Sequence, residues 1–175
     1  MHQRHSLLAT RKGIVKKTAL SEYSNRRSRN KGINAITVRE GDELLDAILT
    51  TGDSQVLLAA RNGRCVRFDE EDARPLGRAA SGVRGISLDE DDEVMSVVCY
   101  TPGSGDAASQ TALVVSEHGF GKRTDFEEYR LTSRGGKGVR TLNITEKTGK
   151  VVALKNVTED NDLMIITRAG LTIKP

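Results

Sequence analysis

Short apolar runs alternate with glycine-containing turns along the chain, and the pattern recurs about every fifty residues. Each run is followed by an X-Gly pair and a second strand-like stretch, and the turn glycines are Gly13, Gly63, Gly119 and Gly170. Glycine accepts the positive φ that tight hairpin turns require, so each segment predicts a β-hairpin. Asn62-Gly63 is the strongest of the four signals. The chain is therefore predicted to be all-β and built from repeats.

A second glycine follows each of the first three turns at a constant offset of nineteen residues: Gly32, Gly82 and Gly138. Apolar residues then recur with a period of two, which predicts a third strand in each unit. A polar hinge and a fourth apolar run close the unit. Four strands in about fifty residues fit one antiparallel blade of a propeller-like or β-pinwheel array.

The repeat predicts about three and a half blades in an open or partial array. Residues 1–6 are expected to be a leader, which an expression vector could have contributed. The three blades are expected at 7–53, 54–110 and 111–160, and the second blade has an inserted loop at 102–109. Residues 161–175 are expected to form the first strands of a further blade. A blade buries its faces against its neighbours. We therefore expect the open edge of the last unit to allow self-association.

Composition narrows the functional classes. Hydrophobic residues make up 37% of the chain and aromatic residues 3%, so the core is expected to consist of Val, Ile and Leu. No apolar run approaches the roughly 20 residues of a membrane helix, and no membrane partner is expected. Cys65 and Cys99 lie in strand-like runs and are interpreted as buried, reduced thiols. Gly136-Lys137 lacks the spacing of a phosphate-binding P-loop. We expect no catalytic residue, metal or cofactor.

Basic residues recur at one position of the repeat, although the net charge is only +3. The residue four places after each turn glycine is basic, and two units add a second basic residue just before it: Lys16, Lys17, Arg67, Lys122, Arg123 and Lys174. The recurrence predicts a basic track with one step per blade. The alternative is a set of solvated strand ends whose lysines protect exposed edges.

A second basic element surrounds the second glycine of each unit. Its residues are Arg26, Arg27, Arg29 and Lys31 in unit one, Arg78 and Arg84 in unit two, and Arg134, Lys137 and Arg140 in unit three. Glycine allows backbone amides to approach a phosphate, and Arg and Lys neutralise it. Such contacts give affinity without reading bases. Both elements predict double-stranded DNA as the partner; the alternative is a solvated, flexible loop.

The residues Arg11-Lys12-Gly13-Ile14-Val15-Lys16-Lys17-Thr18 and Leu20-Ser21-Glu22-Tyr23-Ser24 resemble the C-terminal domain of DNA gyrase A. The loop Ser133-Arg134-Gly135-Gly136-Lys137-Gly138 is similar to the family's glycine- and arginine-rich box, and the resemblance covers Leu7 to Pro175. It implies a six-bladed β-pinwheel that bends and wraps DNA around a basic rim. It also implies a bacterial, cytoplasmic, nucleoid-associated topoisomerase with the rest of gyrase A and gyrase B as partners, whose ATP-dependent negative supercoiling the domain supports.

Two departures from the family pattern limit what the resemblance implies. Thr132-Ser133 stand where the family's box has Gln-Arg, so the box proper is expected outside this chain. The breakage-reunion domain is also absent, so the chain alone is expected neither to cut DNA nor to hydrolyse ATP. With about half the family's blades, it is expected to wrap DNA weakly or not at all. The alternatives are the equivalent domain of topoisomerase IV, which selects DNA geometry, and a protein-interaction propeller.

Overall fold

A computed structural model describes residues 4–23, 36–77, 79–103 and 110–157, together with the backbone of 165–166 and 172–173. The described elements are strands and three short 3-10 turns, the latter at Leu20–Tyr23, Glu70–Asp72 and Phe126–Glu128. The strands are β1 (His5–Thr10), β2 (Ile14–Ala19), β3 (Leu44–Thr50), β4 (Gln55–Ala60), β5 (Arg64–Asp69), β6 (Val83–Arg84), β7 (Val94–Tyr100), β8 (Thr111–Ser116), β9 (Gly121–Asp125), β10 (Val139–Arg140), β11 (Val151–Val157), β12 (Ile165–Ile166) and β13 (Thr172–Ile173). No helix among these residues is long and apolar enough to cross a membrane.

The first three predicted hairpins are confirmed. β1 pairs with β2, β4 with β5 and β8 with β9, each antiparallel. The turn glycines Gly13, Gly63 and Gly119 have φ values of 90°, 96° and 84°, a region that residues with a Cβ rarely adopt. The fourth unit contributes the short antiparallel pair β12–β13, and its predicted turn glycine, Gly170, lies outside the described residues.

The expectation that each unit supplies all four strands of its own blade was wrong. Blade 1 has the strand order β3-β1-β2-β6, and β6 comes from the second unit; blade 2 has the order β10-β5-β4-β7, and β10 comes from the third unit. Blade 3, in the described residues, has the order β11-β8-β9. The second strand of each hairpin has backbone groups that need partners on its outer side. The following unit provides them in blades 1 and 2.

The constant offset of the second glycine follows from this exchange of strands. Gly82 has φ +90°, and a Cβ built on it would lie 2.5 Å from the carbonyl oxygen of Val15 in the preceding blade. Gly138 has φ +80° and meets the carbonyl of Cys65 in the same way. The chain of one unit therefore presses against the backbone of the previous unit, at a point where only glycine fits.

The cores lie between blades, and strand β7 contributes to both of them. The core between blades 1 and 2 includes Val97, and the core between blades 2 and 3 includes Val98 and Tyr100. The ring of Tyr100 stacks on that of Phe126 with centroids 4.4 Å apart. These cores bury Cys65 and most of Cys99, and burial raises the pKa of each thiol to about 12. Both cysteines are therefore protonated and poor nucleophiles at neutral pH.

Candidate nucleic-acid interface

The outer edge of blades 1 and 2 is formed by two segments of the following unit. On blade 1, the amide of Leu76 donates to the carbonyl of Lys17 at 2.8 Å, and that of Gly85 to the carbonyl of Gly13 at 2.7 Å. On blade 2, the equivalent donors are Thr132, to Arg67 at 2.9 Å, and Thr141, to Gly63 at 2.7 Å. We use the term outer edge for residues 74–77 and 83–85 of blade 1 and residues 130–132 and 139–141 of blade 2.

Arg84 and Arg140 occupy equivalent positions on this outer edge. Arg84 lies opposite Ile14 of β2, and Arg140 lies opposite Arg64 of β5. Both side chains are exposed. Arg140 donates to Asn143 Oδ1 at 3.3 Å, a weak contact that leaves its charge unneutralised. The strand exchange therefore repeats one exposed guanidinium at the same place in two successive blades.

The glycine-rich loop 133–138 brings further charge to this place. Its backbone is fixed to the second unit, because the amide of Gly135 donates to Gly85 at 2.7 Å and the amide of Ser87 donates to Gly136 at 2.9 Å. Arg134 is half-buried and donates to the carbonyls of Asp72 at 3.0 Å and Arg84 at 3.1 Å. It therefore serves mainly to join the two units. Lys137 on the same loop is exposed.

Three of the predicted site residues are buried, so the prediction that they face solvent was wrong. Lys16 has no exposed surface, Lys17 is 4% exposed and Arg67 is 5% exposed. Burial lowers the pKa of Lys16. Lys17 and Arg67 lie beneath the following unit, whose extended segment forms a parallel bridge beside each of them. Covering by the next unit explains why this repeated basic position does not form a surface track on blades 1 and 2.

The buried cations have partners that span two units. Lys17 Nζ lies 3.3 Å from the carbonyl oxygen of Glu70 and 3.6 Å from its Oε2. Arg67 donates to Gln55 Oε1 at 2.6 Å, to the Tyr129 carbonyl at 2.7 Å and to Glu127 Oε2 at 3.2 Å. These contacts compensate the buried charges, as ions removed from water require. They also join adjacent blades.

Lys122 and Arg123 are exposed, as predicted, but their surroundings differ from those of their equivalents. They lie on β9, and no segment in the described part of the chain covers that strand as residues 131–132 cover β5. Arg123 Nε donates to Thr111 Oγ1 at 3.0 Å, and Lys122 Nζ donates to the Thr141 carbonyl at 3.4 Å. The remaining predicted residues lie outside the described residues: Arg26, Arg27, Arg29, Lys31, Arg78 and Lys174.

Sequence reasoning missed three basic residues at this edge. Arg64 lies beside the loop and donates to the carbonyl of Gly138 at 3.4 Å. Arg74 and Arg130 are exposed on the two outer-edge segments. Both follow their turn glycine by eleven residues, so the recurrence of that offset would have found them. Among the described residues, no group of His, Cys, Asp and Glu is arranged to hold a metal ion.

These features define a class of repeat β-protein, the β-pinwheel, in which blades exchange an outer strand and a basic edge recurs from blade to blade. The chain belongs to the family described as DNA gyrase C-terminal domain, beta-propeller, whose model matches residues 7–51, 54–100 and 110–158. Related proteins include the DNA gyrase A proteins of two Staphylococcus aureus strains, MRSA252 and NCTC 8325, each 46% identical over 168 residues. The match covers 96% of this chain but only 18% of those relatives.

Solved structures agree with this assignment. A topoisomerase IV C-terminal domain superposes with a TM-score of 0.88 at 25% identity, over 99% of this chain and 52% of that one. A DNA gyrase A C-terminal domain gives a TM-score of 0.80 at 22% identity, over 99% and 56%. The E. coli ParC C-terminal domain gives 0.72 at 20% identity, over 98% and 68%. The last two establish the fold alone.

Proposed function

We propose that this chain binds double-stranded DNA through its outer edge, without reading bases, and bends the duplex along successive blades. In this proposal it acts as part of DNA gyrase A, together with gyrase B, in the bacterial cytoplasm, where it supports ATP-dependent negative supercoiling. Cleavage of DNA and hydrolysis of ATP belong to other parts of that enzyme. The observation that carries the proposal is the recurrence of exposed Arg84 and Arg140 at equivalent positions on two blades.

The physical argument concerns phosphate contacts. A cation that neutralises a DNA phosphate releases counterions, so binding is favoured at low salt and independent of sequence. Arg84 and Arg140 project from backbone that is hydrogen-bonded to the preceding blade, so their spacing is fixed by the fold. Bending a site of 20–30 base pairs costs of order 1–6 kcal/mol. Contacts repeated on every blade would offset that cost, whereas a single basic patch would not follow a curved duplex.

The test is binding to a duplex of about 40 base pairs across a salt titration, beside the variant Arg84→Ala/Lys137→Ala/Arg140→Ala. If all three residues contact phosphates, the slope of log K against log salt should become shallower by about 2.7, at about 0.9 per contact. The matched control Arg39→Ala/Lys147→Ala/Lys155→Ala removes three exposed cations elsewhere and should change the slope little. A parent chain that fails to bind, or equal losses in both variants, would contradict the proposal.

Bending needs a separate measurement, because phosphate contacts alone do not establish it. Nicked circular DNA is sealed by ligase with the chain bound, and the protein is then removed. A wrapped or consistently writhed duplex shifts the mean linking number in one direction, in proportion to bound protein. An unchanged linking number together with tight binding would limit the chain to contact without wrapping.

The topoisomerase IV domain stays a second candidate, because its solved structure superposes with a TM-score of 0.88. The 46% identity to DNA gyrase A favours the first candidate. The two differ in the DNA that they prefer. A wrapping domain should shift the linking number, whereas a geometry-selecting domain should favour supercoiled over relaxed DNA in a competition assay and leave the linking number unchanged.

A further inference from the structure

The outer edge has two levels, and the second also carries a repeated arginine. On blade 1, the segment with Arg84 pairs with β2 at Ile14, and the segment with Arg74 bridges β2 at Lys17 through Pro75. On blade 2, Arg140 and Arg130 hold the same two levels, with Leu131 bridging Arg67. Arg74 and Arg130 precede Pro75 and Leu131 by one residue in parallel segments, so they lie level with residues 16 and 66. The two rows of arginines are therefore two residues apart along each strand, which is about 7 Å at roughly 3.4 Å per residue.

Arg74 and Arg130 are held in position at their backbone and free at their guanidinium groups. Each follows a buried residue, Ala73 at 0% and Tyr129 at 3% exposure, and so points outward in an extended segment. Tyr129 is fixed by the hydrogen bond from Arg67 to its carbonyl at 2.7 Å. Neither arginine forms an ion pair or hydrogen bond within the part of the chain that the structure describes.

Acidic side chains precede both arginines without neutralising them. Asp72 and Glu128 are exposed two residues earlier, yet no ion pair links either carboxylate to a described guanidinium. Other arginines of the same region are used within the fold, as Arg67 and Arg134 show. Arg74 and Arg130 thus share three properties with Arg84 and Arg140: a repeated position, exposure and an unneutralised charge.

We infer that Arg74 and Arg130 form a second row of phosphate-binding residues, parallel to the row of Arg84 and Arg140, so that each blade holds the DNA backbone at two positions. This inference rests on the proposed function. Duplex DNA carries about one phosphate charge per 1.7 Å of its axis, so two rows about 7 Å apart can each reach a different phosphate of the same duplex. The two rows would orient the duplex on the edge, whereas a single row would leave it free to rotate.

The test compares salt slopes for the parent chain, Arg74→Ala/Arg130→Ala, Arg84→Ala/Arg140→Ala and all four changes together. Each pair should make the slope shallower by about 1.8, and the four changes together by about 3.6, at about 0.9 per phosphate contact. The variant Arg74→Lys/Arg130→Lys keeps the charges and should keep the parent's slope. Arg39→Ala/Lys155→Ala removes the same net charge elsewhere and serves as the control. Circular dichroism checks that each variant is folded.

The outcomes separate the two proposals. If the Arg84/Arg140 pair reduces the slope and the Arg74/Arg130 pair behaves like the control, the second row is refuted and the proposed function stands. If the parent chain does not bind the duplex at low salt, the proposed function fails and the second row with it. A loss in Arg74→Ala/Arg130→Ala that the lysine variant restores supports the second row.

Discussion

Arg67 and Arg84 come from the same repeat unit and carry the same charge, but they have different roles. Arg67 is 5% exposed and donates to Gln55, Tyr129 and Glu127, whereas Arg84 is exposed on the outer edge. A buried guanidinium with several partners stabilises the fold only while those partners remain in place. The two residues should therefore separate stability from DNA affinity.

Replacement of Arg67 by Ala should lower the free energy of unfolding by about 2–4 kcal/mol, because it leaves Gln55 Oε1 and the Tyr129 carbonyl without this donor. Urea denaturation followed by circular dichroism measures the change. Under conditions where Arg67→Ala remains folded, its salt slope for DNA should equal that of the parent chain. Arg84→Ala should show the converse pattern: unchanged stability, within about 0.5 kcal/mol, and a shallower slope. If Arg67→Ala were as stable as the parent chain but bound DNA more weakly, Arg67 would be a DNA contact, as the surface-track hypothesis predicted.

Gly82→Ala should destabilise the chain by about 1–3 kcal/mol, because the residue needs φ +90° and its Cβ would lie 2.5 Å from the Val15 carbonyl oxygen. Gly77→Ala is the matched control from the same loop, since a Cβ placed on it would have no atom within 4 Å and its φ is not positive. That variant should be neutral or stabilised by up to about 1 kcal/mol. Thermal denaturation of both variants measures the difference. Equal effects would mean that Gly82 is not a contact between blades.

At the scale of elements, the hairpins were predictable from sequence and the exchange of strands was not. Gly63 and its equivalents have a local signal, because the turn and both strands are adjacent in the chain. The partner of β10 is β5, some seventy residues earlier, and no local pattern specifies which unit a two-residue strand will join. The constant offset of Gly82 and Gly138 was visible, but its cause is a contact across units. For the same reason the burial of Lys17 could not be read from its own strand.

The outward-facing amides of β9 should exchange with solvent faster than those of β5. β5 has β10 on its outer side, whereas no strand among the described residues occupies that side of β9. Unprotected amides exchange through smaller fluctuations than amides in a ladder. Hydrogen exchange followed by NMR should therefore show lower protection at Gly121 than at its equivalent Cys65. Equal protection would indicate that another segment covers β9.

At the scale of the whole molecule, the two junctions between blades differ in chemistry. The first contains the buried pair Lys17 and Glu70, with Glu70 Oε1 accepting from the amides of Gly52 and Ser54 at 2.8 and 2.9 Å. The second has the stacked rings of Tyr100 and Phe126. Phe126 and Glu70 occupy the same position in their units, seven residues after the turn glycine. One position of the repeat is therefore ionic in one junction and aromatic in the next.

Blades 1 and 2 should unfold together despite this difference, because each sheet contains a strand from the following unit. Strong coupling between neighbouring repeats gives one cooperative transition. Urea unfolding followed by far-ultraviolet circular dichroism, which reports all strands, should coincide with near-ultraviolet signals from Tyr100 and Tyr129 at the second junction. Two separated transitions would show that the blades are thermodynamically independent.

The exchange of strands also has a consequence for how such a protein lengthens during evolution. Duplication of one gene segment adds a repeat whose boundaries are out of phase with those of the sheets, because its short strand completes the blade before it, as β6 and β10 do. A new copy therefore pairs with the preceding repeat as soon as it folds. Mutations in the short strand that joins the preceding sheet then affect two blades at once. Selection should then act on pairs of neighbouring repeats. We therefore expect substitutions at Lys17 to accompany substitutions at Glu70, and those at Arg67 to accompany those at Glu127, although about fifty or sixty residues of sequence separate the members of each pair.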